Sequence, residues 1–116
     1  MANEYTVEDV KRRVQRVLQD TDDDFRRYDA NEVLDAVNDA ILEASRIRPE
    51  LFADVNFVPP RLMELEQPLP IEPQYLSAMV YMAAGYLSLR DDAFAVDARA
   101  VSLLNKGTSQ LQTVKA

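Results

Sequence analysis

The chain has no cysteine, no histidine and no tryptophan, and only two glycines. Without cysteine there is no disulfide and no thiolate, and without histidine there is no imidazole base or ligand. Together these absences remove the usual zinc sites and leave the redox compartment undetermined. Two glycines are too few for the glycine-rich loops that cradle phosphates. No run approaches the roughly 20 apolar residues of a membrane span, and Met1 to Tyr5 lacks the apolar heart of a cleaved signal. The expectation is a soluble protein made in a cytoplasm, with no membrane partner.

Positive charge is also scarce. Thirteen Lys and Arg face twenty Asp and Glu, a net charge of −7, which argues against general nucleic-acid binding because phosphate contacts are built from clustered cations. The basic residues gather in the N-terminal half: Lys11, Arg12, Arg13 and Arg16 on the first helix, then Arg26, Arg27, Arg46 and Arg48. They read either as a solvated face paired with carboxylates or as a subunit contact. With 116 residues, 47% of them hydrophobic, the chain can bury one core, and a single domain spanning 1–116 is expected.

Periodicity makes that domain helical. Val7, Val10, Val14, Val17 and Leu18 fall three and four apart, and Thr6 with Asp9 forms a capping box at the start of their helix. Four valines lower its intrinsic propensity, so this helix depends on packing. Asp20, Asp22, Asp23 and Asp24 then crowd into a turn. Their spacing invites a calcium-loop reading, which fails because the sixth position is Phe25 rather than Gly and the twelfth is Asn31 rather than Glu. They read instead as turn residues, with Phe25 and Tyr28 pinning the turn.

Asp29 and Glu32 form a second, acidic capping box, worth roughly 1 kcal/mol. It opens a helix from about Ala30 to Arg48 with Val33, Leu34, Val37, Ile41, Ala44 and Ile47 inward, which Pro49 ends. Asn38 and Asp39 sit mid-helix, either solvent-exposed or, for a hydrogen bond, turned toward the segment before the third helix.

Residues 49–72 show no helical period and hold Pro59, Pro60, Pro68 and Pro70. Structureless connections beyond about 12–15 residues are uncommon in compact domains and are usually functional or disordered. This one stays apolar through Phe57, Val58, Leu62, Met63 and Leu65. Two placements stand: an arm across a neighbouring subunit, or a loop packed on its own core. From Tyr75 to Leu89 almost no polar face remains, which predicts a central helix. Asp92 is the expected cap of a fourth helix carrying Phe94, Ala98, Val101 and Leu104. Beyond Gly107 the polar residues 108–116 are expected to fray, or to dock only on a partner. The fold class is therefore all-α, a compact bundle of about four helices with a long proline-containing apolar connection between helices 2 and 3.

Several pieces recur in one order: a valine-rich helix ending in an acidic turn, an Arg-Tyr step at Arg27–Tyr28, and the string E-[LV]-L-x-x-[LV]-N-x-A from Glu32 to Ala40. Arg48-Pro49 follows, then Leu69, Pro70, Glu72, Pro73 and Tyr75 leading into a long apolar helix, an Asp-rich turn and an alanine-rich last helix. In this order the chain resembles the small helical head-to-tail adaptor (connector) proteins of tailed bacteriophages. Many relatives carry a larger, often β-containing insertion between the second and third long helices, where only residues 49–72 stand here. The resemblance implies a ring, typically dodecameric, in the virion neck, docked beneath the portal protein and joined to tail or nozzle proteins, with assembly in the host cytoplasm. DNA would pass through its channel without specific binding, which negative potential favours. No cofactor and no catalysis are implied.

Ring subunits meet through two different complementary patches. Candidates for such contacts are the basic residues Lys11, Arg12, Arg13 and Arg16, the acidic Asp22, Asp23 and Asp24, and the apolar Phe57, Val58, Leu62, Met63 and Leu65. An enzyme finds no support, because carboxylates are scattered without His partners or a phosphate loop. The competing expectation is a small acidic regulator, such as an antitoxin, anti-repressor or DNA mimic, binding a basic partner.

Overall fold

A computed structural model describes residues 5–18, 29–91 and 98–113 of the chain. The fold is all-α. Helix α1 spans Val7–Leu18, α2 Ala30–Ile47, α3 Leu76–Asp91 and α4 Ala98–Thr113. Short 3₁₀ segments occupy Pro49–Val55, kinked at Phe52, and Pro73–Tyr75. Among the described residues the one trace of β pairing is an isolated antiparallel bridge between Thr6 and Pro68.

Both capping boxes form. Thr6 N–H donates to Asp9 Oδ2 at 2.9 Å, and the Asp9 N–H returns to Thr6 Oγ1 at 3.4 Å. At α2 the Glu32 N–H donates to Asp29 Oδ1 at 2.8 Å and the Asp29 N–H to Glu32 Oε1 at 3.1 Å. α2 stops at Arg48, whose φ of −134° and ψ of 76° lie outside the helical region, as a residue before proline requires.

α3 packs against α1, α2 and α4. It is apolar all round because it is the centre of the bundle: Met79, Met82, Ala83, Ala84 and Leu87 are inaccessible. α1 contributes Val7, Val10, Val14 and Leu18 to the same core, and α2 contributes Val33, Ala36, Val37, Ala40, Ile41 and Ala44. Each large apolar side chain so buried is worth about 1.5–3 kcal/mol.

The last helix departs from expectation. Gly107 does not end it, and residues 108–113 do not fray: α4 runs to Thr113 with Leu111 fully buried. Gly107 is where α4 touches α3 most closely. A Cβ added there would lie 2.5 Å from Met82 Cγ and 2.9 Å from both the Ala78 carbonyl oxygen and the Met82 nitrogen. Gly85 plays the reciprocal part beneath Leu104. The inward positions are therefore Ala100, Leu104, Gly107 and Leu111, with Leu104 half-buried on Gly85, while Val101, expected alongside Leu104, is 53% exposed. Glycine's absent side chain is here a packing device. The expected cap Asp92 and Phe94 lie outside the described residues.

Arg48 locks the end of α4 in place. Its Nη1 donates to the Leu111 carbonyl at 3.0 Å, its Nε to Glu50 Oε2 at 2.9 Å, and its guanidinium carbon stands 5.4 Å from the Tyr75 ring centroid. One side chain thus ties the ends of α2 and α4 to the entry of α3.

Residues 49–72 lie on the chain's own core, with Phe52, Leu62, Leu69 and Ile71 buried. Directional bonds hold them. Asn38 Nδ2 donates to the Leu62 carbonyl at 2.9 Å and the Leu62 N–H donates back to Asn38 Oδ1 at 2.8 Å. The Val7 and Glu8 N–H groups, orphans of the first turn of α1, donate to the Gln67 and Leu65 carbonyls at 3.1 and 2.9 Å. The connection therefore caps the first helix. Of the two mid-helix polar residues in α2, Asn38 makes the cross-chain bond and Asp39 stays exposed.

Candidate functional site

The four basic residues of α1 do not act alike. Arg12 is paired with Asp9, whose carboxyl is held below its ordinary pKa by the Thr6 N–H and by Arg12. Arg13 lies over the Tyr5 ring at 5.5 Å. Lys11 is half-buried and Arg16 is exposed. The acidic trio Asp22, Asp23 and Asp24, with the calcium reading of that turn, lies outside the described residues.

The apolar candidates separate into two sets. Phe57, Val58 and Met63 are 60%, 67% and 65% exposed. Leu62 is a correction: it is buried in the core because Asn38 grips both of its backbone groups, and it is not on an outward surface. Leu65 is half-buried against the same core.

The tip from Val55 to Val58 has an unusual backbone. Asn56 and Phe57 both have positive φ, 59° and 64°. Asparagine tolerates this region, whereas for a bulky residue such as phenylalanine it is an outlier costing about 1–2 kcal/mol. Hydrogen bonds hold the turn: Asn56 N–H to the Ala53 carbonyl at 3.2 Å, Phe57 N–H to the Phe52 carbonyl at 2.8 Å, and Val58 N–H to the Val55 carbonyl at 3.2 Å. An aromatic ring is thus kept in water, on a strained residue, by a firmly bonded backbone.

Beside this tip runs a groove of about 340 Å³. One wall is α2, through Asp35, Asn38, Asp39 and Leu42; the other is the extended stretch Pro59, Pro60 and Arg61. Leu42 is 58% exposed. Its signal was present in the sequence, because Leu42 is an apolar residue off the inward stripe of α2. The prolines gave none, since nothing local places residues 59–61 alongside residues 35–42. Asn38 does so, through Leu62.

One turn beyond Asp39 and Leu42 in α2, Glu43 is paired with Arg46, which holds the Glu43 carboxyl below its ordinary pKa. Burial, reinforced by Glu43 and Asp39, pushes the Tyr86 hydroxyl up. Among the described residues no group of three acidic side chains is placed to hold a metal, and no helix is long and apolar enough to cross a membrane. Comparison with protein-family models, with curated proteins and with solved structures returns no match.

Proposed function

We propose that this protein is a structural assembly component, a head-to-tail adaptor whose copies form a ring beneath a phage portal and join the capsid to the tail. The observation that carries the reading is the exposed apolar tip at Phe57 and Val58. It is held by its own backbone bonds and flanked by a groove. Rigid exposed apolar side chains mark protein contacts. The ordered resemblance of residues 32–40, 48–49 and 69–75 to connector proteins gives that contact its setting.

In this role the work is mechanical. The buried α3–α4 pair supplies a stiff body, and the connection and α1 supply two different surfaces, as a ring closed by rotation requires. The net charge of −7 keeps a DNA-facing channel from adhering to its cargo.

Electron microscopy of the protein mixed with its cognate portal tests the reading. The expected result is an added ring of density below the portal. A portal that stays bare in the presence of excess protein, together with a neck lacking this chain in purified virions, overturns it. A stable monomer or dimer that instead captures a basic partner would favour the acidic regulator.

A further inference from the structure

We infer that the groove between α2 and Pro59–Arg61 receives the basic face of α1 from a second copy of this chain. The inference rests on the adaptor reading and deepens it by assigning the two halves of one subunit contact. The groove is lined by the apolar Leu42, Pro59 and Pro60 and by the guanidinium of Arg61, and it carries the carboxylate of Asp39 beside that of Asp35, which already has an interaction within the chain. Such a lining fits a long side chain with an apolar stem and a cationic end, whose stem covers leucine and proline while its charge reaches a carboxylate. Phe57, two residues before Pro59, offers an exposed ring face to a second cation.

This chain carries that occupant. Arg13 and Arg16 are three residues apart on α1 and both exposed, so they project on one face. The described cations elsewhere are mostly engaged within their own subunit: Arg46 on Glu43, Arg48 on Glu50 and the Leu111 carbonyl, and Lys106 over the Tyr81 ring at 4.3 Å; Arg13 has a longer contact of the same kind, over the Tyr5 ring at 5.5 Å, which it would exchange for the groove. Neither surface complements itself. Their pairing is heterologous, head to tail, and it propagates from copy to copy.

The test uses two variants of the full chain, Arg13→Glu/Arg16→Glu and Asp39→Arg/Leu42→Arg, at exposed positions where circular dichroism and the unfolding midpoint check that each stays folded. By sedimentation equilibrium the wild type should gain mass with concentration and lose it as salt rises. Each variant alone should associate at least about a hundredfold more weakly, because like charges then face each other. Mixed, the two should regain association, to a 1:1 dimer or beyond, since each keeps the half the other lacks and the two reversed faces carry opposite charges.

A wild type that stays monomeric at millimolar concentration, or a mixture that stays monomeric, overturns the inference. If portal binding by the wild type persists in that event, the adaptor reading stands without this contact. Loss of portal binding by Asp39→Arg/Leu42→Arg would then give the groove to the portal. Association of the wild type without portal binding has the reverse meaning.

Discussion

The α3–α4 pair and residues 49–72 are both rich in apolar side chains, yet they are held by different forces. α3 and α4 meet by shape: Gly107 admits Met82 and the backbone around Ala78, and Gly85 admits Leu104. The main directional aids are Arg48 on Leu111 and a Ser77 Oγ hydrogen bond to Gln110 Oε1 at 2.8 Å. Residues 49–72 instead hang on named hydrogen bonds, from Asn38 to Leu62 and from the first turn of α1 to Leu65 and Gln67. Shape packing hides most of the apolar surface it uses, Met82 and Leu111 fully and Leu104 in part. Point anchorage leaves the span between anchors free to face outward, which is how Phe57 and Val58 reach solvent. Apolar density in a sequence is therefore not a measure of burial, and a segment tethered at points can carry a binding surface without loosening the core.

Breaking the shape-packed region should cost most. Met82→Ala removes a fully buried side chain and should lower unfolding free energy by about 3 kcal/mol in urea titration. Gly107→Ala should cost about 1–2 kcal/mol, because overpacking against backbone atoms exceeds the gain of roughly 1 kcal/mol in helix propensity. Made together, the two should cost less than their sum, since the Met82 Cγ clash is gone while the backbone clash remains. Strict additivity would show that Gly107 is not where the helices touch.

At the tethers the effect is smaller. Asn38→Ala leaves the Leu62 N–H and carbonyl without their partners and should cost about 1–2 kcal/mol. It should also speed hydrogen exchange at Leu62 and, through the capping carbonyls, at Val7 and Glu8. Unchanged exchange at Val7 and Glu8 would separate the two anchors and weaken the comparison.

Smallest in stability is Phe57→Gly. Relief of the left-handed strain offsets glycine's greater chain entropy, so the change should fall within about 1 kcal/mol of zero, while self-association or portal binding is lost. A loss of several kcal/mol would mean that the ring is structural.

Acid should act on the helix surfaces rather than on either packing mode. Asp9 and Glu43 have carboxyl pKa values depressed in the folded state, by the Thr6 N–H with Arg12 and by Arg46 respectively. Their stabilisation is complete above the unfolded carboxyl pKa and is lost as pH falls through the lower folded value. Urea midpoints should hold steady from neutral pH to about pH 5 and then decline. Asp9→Asn should flatten part of that decline.

Much of this was legible without coordinates because it is local. Both capping boxes, the stop at Pro49, the valine stripe of α1 and the all-apolar α3 depend on neighbours within one turn or on a single periodicity, and each appears as read. The register of α4 is only partly legible: Leu104 packs on Gly85 as its place in the stripe implies, whereas Val101 faces out and Gly107 and Leu111 take their meaning from Met82 and Arg48, far away in the chain. The candidate surface was half legible. Phe57, Val58 and Met63 stood out as apolar residues in a proline-rich stretch, but Leu62, alike in sequence, turned inward through its bonds to Asn38. The groove could not be foreseen, since its walls are joined by that same long-range pair.

By itself, then, the sequence determined where α1 and α2 begin, where α2 ends and which faces of α1, α2 and α3 are apolar, because capping, proline sterics and the 3.6-residue period act over a few bonds. Tertiary structure alone decided that Gly107 packs, which leucine hides and what residues 49–72 expose. Those outcomes depend on contacts between residues far apart in the chain, whose positions are set only when the whole core has closed.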